Sequence, residues 1–167
     1  MAFAYYQRLS PRQQAVYRRS DAIDAVALPP DAAWPSRVTG LAGALAGGDR
    51  VLTAVMAQRL LDALAQALAA PLLRVRVLEA RPRTGYEELH GLYQPAAAGG
   101  EAVITVWMRT ARRRRLVKFR TFLRTLVHEF CHHLDYEVLG LEESFHTEGF
   151  YRRESSLVRQ LLHGTGL

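Results

Sequence analysis

Four stretches of the chain are predicted to be helices, and in three of them apolar side chains recur every three or four positions, a spacing typical of amphipathic helices. The first stretch begins at Ser10, a predicted N-cap that is followed by a proline. The second lies between Asp49, which can cap a helix, and Pro71, which stops one. The third begins near Lys118, and the last covers roughly residues 147–162. The apolar positions are Val51, Val55, Leu60, Leu61, Leu64 and Leu68 in the second, Phe119, Leu123, Leu126, Phe130 and Leu134 in the third, and Phe150, Leu157 and Leu161 in the last.

The pattern between the second and third helices alternates instead, which indicates strands. Residues 72–82 alternate in this way, residues 88–95 form a short second stretch, and residues 101–110 are rich in β-branched and aromatic side chains. Because these strands follow one another and do not alternate with helices, we predict an α+β fold with a small, mostly antiparallel three-stranded sheet packed on helices. Prolines end a first segment, so we predict an amino-terminal helical arm at residues 1–36 and a domain at 37–167.

Composition limits the class of protein. With 49% hydrophobic and 23% charged residues the chain is typical of globular proteins, and 167 residues suit one domain with its own core. The single cysteine, Cys131, excludes an internal disulfide and a cysteine-rich zinc ribbon, and we expect it to pack as a small hydrophobic side chain. The first residues lack the pattern of a secretory signal, and no apolar stretch is long enough to span a bilayer. We therefore expect a cytoplasmic protein with no membrane partner.

The stretch LVHEFCHHLDY, from Leu126 to Tyr136, holds three of the six histidines. Within it His128, Glu129 and His132 form the pattern H-E-x-x-H on the predicted third helix. Residues four apart lie one turn apart on the same face of a helix, so two imidazoles can reach one ion. Zinc held by neutral imidazoles with one open position lowers the pKa of a coordinated water to about 7, and the glutamate takes its proton. The pattern therefore predicts a catalytic zinc site with Glu129 as general base.

A third ligand must come from elsewhere in the chain. The segment SFHTEGFYRRESSL offers His146 and Glu154, and the histidine is favoured because zinc sites often combine imidazoles. If Glu154 binds the metal instead, His146 becomes a supporting group beside the site. His133 points about 100° away from His132 around the helix axis, so we expect it at the surface or behind the ligands.

These motifs resemble the SprT-like zinc metallopeptidases, the family that includes the Spartan proteases. Its members carry H-E-x-x-H on one helix and a later histidine in an H-x-x-x-F-like segment that opens the next, and here that segment runs from His146 to Phe150. The resemblance extends more weakly over about residues 50–162. Thr147 stands where many relatives have glycine, and the single cysteine rules out the zinc ribbon that many of them carry. The mini-gluzincins, whose third ligand is a glutamate, are the competing family.

The resemblance implies a minimal zincin-like metallopeptidase core. In that core His128, His132 and His146 would bind zinc, and Glu129 would be the general base. The strand around Val103–Met108 would lie beside the cleft and pair with an extended substrate. The resemblance implies that the protein hydrolyses peptide bonds, but it does not indicate the biological target.

Basic residues are concentrated just before the predicted zinc helix. Between Glu101 and Glu129 the chain has no acidic residue but eight lysines or arginines. Such a run can contact the phosphates of nucleic acid, or it can keep a solvated loop and sheet edge soluble. The candidate nucleic-acid contacts are Arg112, Arg113, Arg114, Arg115 and Lys118.

We therefore predict a zinc-dependent endopeptidase that acts on protein or peptide substrates. The group that stabilises the oxyanion is left open between Tyr136, Tyr151 and His133. The alternative is a non-proteolytic metal-binding or DNA-associated regulatory protein on the same fold, and a third hypothesis is a non-peptide amidase that uses the same site. The sequence indicates neither the substrate nor the oligomeric state.

Overall fold

Five α-helices form the larger part of the secondary structure in the computed structural model, which describes residues 2–84, 87–88 and 90–167. They are α1 (Pro11–Asp21), α2 (Trp34–Ala46), α3 (Arg50–Ala67), α4 (Phe119–Glu137) and α5 (Glu148–Leu162), preceded by a short 3-10 helix at Ala4–Arg8. The side chains of Ser10, Asp49 and Thr147 each accept a hydrogen bond from a backbone N–H in the first turn of α1, α3 and α5. The four helices predicted from caps and apolar spacing are therefore confirmed.

Helix α2 is one of the described elements that the sequence pattern does not predict. Pro35 is one of the prolines that were predicted to end the amino-terminal arm, but it lies in the first turn of α2. A proline is tolerated there because the first N–H groups of a helix have no partner within it. Glycines at positions 40 and 43 further weaken the helical signal.

The predicted apolar faces of α4 and α5 are confirmed, and that of α3 is partly wrong. On α3, Val51 and Val55 are exposed, and Thr53 and Ala57 take the inner positions of these turns instead. The later part of the α3 stripe is buried as predicted except for Leu68, which is only partly buried, as is Phe119 at the start of α4. Buried positions that agree with the prediction are Leu60, Leu61 and Leu64 on α3, Leu123, Leu126, Phe130 and Leu134 on α4, and Phe150, Leu157 and Leu161 on α5.

The three longer strands form one mixed sheet. β1 (Arg74–Ala80), β4 (Gly91–Gln94) and β5 (Val103–Arg109) pair in the order β1-β5-β4, and β2 (Arg83–Thr84) pairs separately with β3 (Glu87–Glu88). Strand β5 runs parallel to β1 and antiparallel to β4. The predicted α+β fold is confirmed, but the prediction of a mostly antiparallel sheet is wrong. The chain places β5 between β1 and β4, and this order brings the first and last strands together in the same direction.

The strand order also corrects the expected position of Val103–Met108. That segment was expected at the sheet edge beside the cleft, but it lies in β5, the central strand, with a partner on each side. Its side chains at Ile104, Val106 and Met108 are fully buried. The edge strand next to α4 is β4, which packs against that helix.

Helix α4 lies between the sheet and α5, and this placement positions the candidate site. It contacts β4 and β5 on one side and α5 on the other. Phe122, Leu126 and Phe130 anchor its inner face in the main hydrophobic core. Of the helices in the described ranges, none has both the length and the apolar character needed to cross a membrane.

Candidate metal centre

Three histidine side chains converge beside α4. His128 and His132 lie one helical turn apart on α4, and His146 lies in the loop immediately before the cap of α5. The Nε2 atom of His146 is 3.1 Å from that of His128 and 3.1 Å from that of His132. One ligand atom from each of the three lies within 4.8 Å of the others. Two nitrogens at about 2.0–2.1 Å from one tetrahedral ion lie about 3.4 Å apart, so this spacing fits a single metal ion.

Glu154 fixes the tautomer of His128. Its Oε2 accepts a hydrogen bond from Nδ1 of His128 at 2.8 Å, and its Oε1 accepts one from Arg124 at 2.5 Å. Burial alone would raise the pKa of Glu154, but the hydrogen bonds from His128 and Arg124 outweigh burial and hold that pKa below its ordinary value. A carboxylate has no proton to donate, so Nδ1 of His128 carries a hydrogen, and in the neutral ring Nε2 then presents a lone pair.

A second chain of hydrogen bonds fixes the tautomer of His132. Ser144 Oγ donates to Asp135 Oδ2 at 2.7 Å and lies 2.6 Å from Nδ1 of His132. Because the hydroxyl has only one hydrogen, it must accept from His132, whose Nε2 is then left with a lone pair. Arg153 donates to the other oxygen of Asp135 at 2.9 Å, and both side chains are almost fully buried. This support extends from the core of the protein to the candidate ligand.

The three facing Nε2 atoms lack enough hydrogens to bond to one another. Those of His128 and His132 are both acceptors, and that of His146 can carry at most one hydrogen. One N–H cannot donate fully to two acceptors that are each 3.1 Å away. A cation between them would be attracted by all three lone pairs. The arrangement is therefore suited to a metal ion.

Burial keeps the candidate ligands in the form that binds metals. Desolvation, followed by the neighbouring His128 and His146, lowers the pKa of His132 to about 3. The pKa of His146 is also lowered, again first by burial and then by His128. Both rings are therefore neutral at pH 7, and neutral imidazole is the form that coordinates a metal.

Glu129 lies next to the histidines in a buried position. It is 7% exposed, and this burial raises the pKa of its carboxyl group, while His128 and the backbone N–H of Tyr93 act in the opposite direction. Strand β4 passes very close to it: a Cβ built on Gly91 would lie 2.5 Å from Glu129 Oε1 and 2.8 Å from Thr125 Cγ2. Only glycine allows the strand and the helix to approach this closely here.

His133 is directed away from the three histidines. Its Nε2 donates to the carbonyl of Pro71 at 2.8 Å, so its Nδ1, 3.0 Å from the hydroxyl of Tyr93, accepts from that hydroxyl. The ring is 1% exposed, and it ties β4 to α4 instead of contacting the metal centre. Cys131 is buried in the core, as predicted, and burial raises the pKa of its thiol.

The candidate site opens into a cleft of about 860 Å³. One wall is β4, with Gly91, Leu92 and Tyr93, and the opposite wall includes Tyr151 and the loop before α5. Of the three side chains considered for the oxyanion, the two tyrosines line this cleft and the histidine at 133 does not. The lining residues on α4 and α5 are Thr121, Arg124, Thr125, His128, Glu129, His132, Tyr136, Tyr151 and Glu154.

The structure brings His128, His132, His146 and Glu129 together, and it places Glu154 behind a histidine and not at the centre. Sequence reasoning missed Asp135, although it lies three residues after His132 on the same side of the helix. It also missed Ser144, for which the sequence carries no signal, and Gly91, which an isolated glycine inside a predicted strand could have indicated.

Comparisons of the chain with models of protein families, with curated proteins and with solved structures find no match. The class of the protein is thus given by its own fold and site. It is an α+β protein with a small mixed sheet, in which three histidines that could hold a metal ion lie beside a buried glutamate in a cleft.

Proposed function

We propose that the protein is a zinc-dependent metallopeptidase of the SprT-like kind, with His128, His132 and His146 as ligands. The observation that carries the proposal is that three Nε2 atoms face one another. In two of the rings Nδ1 donates a hydrogen bond to a neighbour, which leaves Nε2 as an acceptor. Three imidazole nitrogens that leave one side open to a cleft are the donor set of catalytic zinc sites. Zinc bound there would polarise a carbonyl group and lower the pKa of a coordinated water to about 7.

Glu129 is proposed as the general base. Its carboxylate accepts a proton from the attacking water and later delivers it to the amine that leaves as the peptide bond breaks. Burial raises the pKa of Glu129, which makes its carboxylate a better proton acceptor than an exposed one. The N–H of Tyr93 holds the carboxylate against β4, which limits its motion and keeps it close to the ligands.

Strand β4 is proposed as the element that binds the substrate. It is an edge strand and forms a wall of the cleft, with Gly91 and Tyr93 beside Glu129. An extended peptide can add to such an edge by main-chain hydrogen bonds, which gives affinity without a strict sequence preference. This binding would lay a peptide bond across the three histidines, as an endopeptidase requires.

The proposal is tested by zinc binding and by cleavage of an unfolded protein such as casein. We expect the purified protein to bind one zinc ion and to cut the substrate only with the metal present. Glu129→Gln should still bind zinc but lose about 10²–10⁴-fold in cleavage rate. Glu137→Gln makes the same change at an exposed position on the same helix and should retain wild-type activity.

Each outcome of this experiment is informative. Failure to bind zinc or another divalent metal would rule out the centre itself. Zinc binding without cleavage would favour a non-proteolytic metal-binding protein. Cleavage that is unchanged in Glu129→Gln would rule out the proposed base.

Nucleic acid is proposed as a second partner, through the loop between β5 and α4. The side chains of Arg112, Arg113, Arg114, Arg115 and Lys118 are all exposed there, as phosphate contacts require. About four such contacts would give a slope near −3.6 when the logarithm of duplex affinity is plotted against that of salt. Replacing Arg112, Arg113 and Arg115 with glutamine should flatten this slope, whereas glutamine at the exposed Arg12, Arg59 and Arg76 should change it little. Absence of binding by the wild-type protein would remove this partner.

A further inference from the structure

The loop that carries His146 has little regular structure of its own. Residues 138–147 form neither helix nor strand, and His146 itself is exposed. Within this loop the backbone of Leu141 donates to the carbonyl of Asp135, and that of Thr147 donates to Phe145. The position of the third candidate ligand therefore depends on what packs against the loop.

The amino-terminal segment reaches His146 directly. The hydroxyl of Tyr5 donates a hydrogen bond of 3.0 Å to the backbone carbonyl of His146, across 141 positions of sequence. The ring of Tyr5 packs against Tyr17 on α1, and Tyr17 packs in turn against Phe145. The residue next to the candidate ligand and its own carbonyl are thus both held by this segment.

Polar side chains of α1 hold the first half of the same loop. Gln13 donates to both carboxylate oxygens of Glu143, at 3.1 and 3.2 Å. Arg19 donates to the carboxylate of Glu142 at 3.2 Å and to the carbonyl of Gly140 at 3.0 Å. These contacts lie on the side of the loop that follows α4.

The end of α1 is fixed to the beginning of α5. Asp21 accepts a hydrogen bond from the N–H of Gly149 at 3.0 Å. A Cβ on Gly149 would lie 2.5 Å from the carbonyl oxygen of Asp21 and 2.7 Å from that of Ser20, so only glycine allows this approach. Arg153 donates to the same Ser20 carbonyl at 2.6 Å. Segment and loop are therefore joined at both ends of the loop.

We propose that residues 2–23, here called the amino-terminal clamp, set the position of the third metal ligand by holding the loop 138–147 against the two histidines of α4. This inference rests on the proposed metal centre, because it concerns where one ligand of that centre lies. The clamp residues touch the loop and not the metal, so they are positioning residues. Without them, His128 and His132 stay in place on α4, whereas the loop that carries His146 keeps the bonds of Ser144 to α4 but loses the contacts that hold the His146 carbonyl and the start of the loop.

The test compares two triple variants of the full chain. The clamp variant combines Tyr5→Phe, Gln13→Ala and Arg19→Ala, which removes five hydrogen bonds to the loop and, with Gln13, the bond from the N–H of Ser10. The control variant combines Tyr6→Phe, Gln7→Ala and Arg12→Ala, the same types of change in the same segment. Of the control positions, Gln7 and Arg12 are exposed, and the hydroxyl of Tyr6 bonds to Arg18 within the clamp.

Two measurements separate positioning from a general loss of stability. Zinc affinity, measured by competition with a chelator, should fall about 10-fold or more in the clamp variant and stay near the wild-type value in the control. The visible spectrum of bound Co²⁺ should change towards that of His146→Ala, because one nitrogen donor is lost. A merely structural role would lower the melting temperature of the clamp variant and leave this spectrum as in the wild type.

The remaining outcomes decide between the two proposals. If the clamp variant binds zinc and Co²⁺ like the wild type, the clamp is ruled out and the proposed function stands. If the wild type binds neither metal, both proposals fall. Should the clamp variant not fold, Tyr5→Phe alone removes one hydroxyl and keeps the ring; it should still weaken zinc binding, and an unchanged affinity would overturn the clamp.

Discussion

The two sides of the candidate metal centre are built in different ways. On one side, His128 and His132 are borne by a single helix, and each ring is held through Nδ1 by a partner linked to buried charge. On the other side, His146 is an exposed residue of a loop that is supported by α1 and the preceding 3-10 helix and, through Ser144, by α4. The helix side is specified by local spacing, whereas the loop side depends on contacts between distant parts of the chain.

This difference shows how a small protein can bring three candidate ligands close enough together for one ion. Two residues four apart on a helix need no further information to share a face. The third has no such constraint, so its position must be fixed by tertiary contacts, which are individually weak at the surface. We therefore expect changes on the helix side to be more damaging than changes on the loop side.

Removal of the ligands should give the largest effects and should expose the asymmetry directly. His128→Ala and His132→Ala should abolish measurable zinc binding, because each removes one of the two helix-borne donors. His146→Ala should retain weak binding by the remaining pair, with a loss larger than the about 10–100-fold typical of losing a supporting hydrogen bond. His163→Ala, at an exposed histidine after α5, is the control. Equal losses in all three ligand variants would contradict the asymmetry.

Loss of the buried charge behind His132 should give the next largest effect, here on stability. Asp135→Asn leaves the guanidinium of Arg153, which is 1% exposed, without its carboxylate partner. Breaking a buried ion pair in this way lowers the free energy of unfolding by about 3–5 kcal/mol. Urea unfolding of the metal-free protein measures this loss. Asp31→Asn, which breaks an exposed ion pair with Arg37, should leave stability near the wild-type value. Similar losses in the two variants would show that the helix side is not anchored in this way.

A methyl group added at Gly91 should separate catalysis from metal binding. The new Cβ would lie 2.5 Å from Glu129 Oε1, so β4 or the glutamate must move, at a cost of about 1–3 kcal/mol. We expect Gly91→Ala to lose cleavage activity while zinc binding remains. Gly43→Ala is the control, because its Cβ would meet nothing within 4 Å on α2 and should slightly stabilise that helix. Full activity in Gly91→Ala would show that the close approach has no role in catalysis.

The smallest effect is expected from Glu154→Gln, which weakens the support of one helix-borne histidine, His128, without removing the ring. An amide can accept from His128 through its oxygen, but it then turns its NH₂ group towards Arg124, so one hydrogen bond is lost. Zinc affinity should fall about 10-fold, as measured by chelator competition. Glu148→Gln makes the same change on α5 at an ion pair with Arg152 and should have little effect.

The sequence was sufficient where a feature depends on neighbours along the chain. Caps at Ser10 and Asp49 predicted where two helices begin, and the spacing of His128 and His132 predicted that they share a helical face. Where a feature depends on chain order in space, local pattern carried no information. The central position of β5 illustrates this limit. The residue pattern predicts that a segment is a strand, but not which strands lie beside it in the sheet.

The roles of His146 and Glu154 illustrate the same limit. Both residue types bind zinc, and both lie within reach of the helix in sequence, so spacing alone left the choice open. The structure distinguishes them by depth: Glu154 is buried beneath the ring of His128, whereas His146 faces the other two Nε2 atoms. Ser144 was not predictable, since its role exists only because the loop folds back onto Asp135.

The contact between Tyr5 and His146 has a consequence for when the candidate metal centre is complete. The two residues are 141 positions apart, and contacts of such separation form late because closing long loops is entropically costly. On the ribosome, a growing polypeptide offers the two helix-borne imidazoles before the third is synthesised. If the clamp positions His146 as proposed, we expect full metal affinity only after the amino-terminal segment and the loop have met in the folded chain.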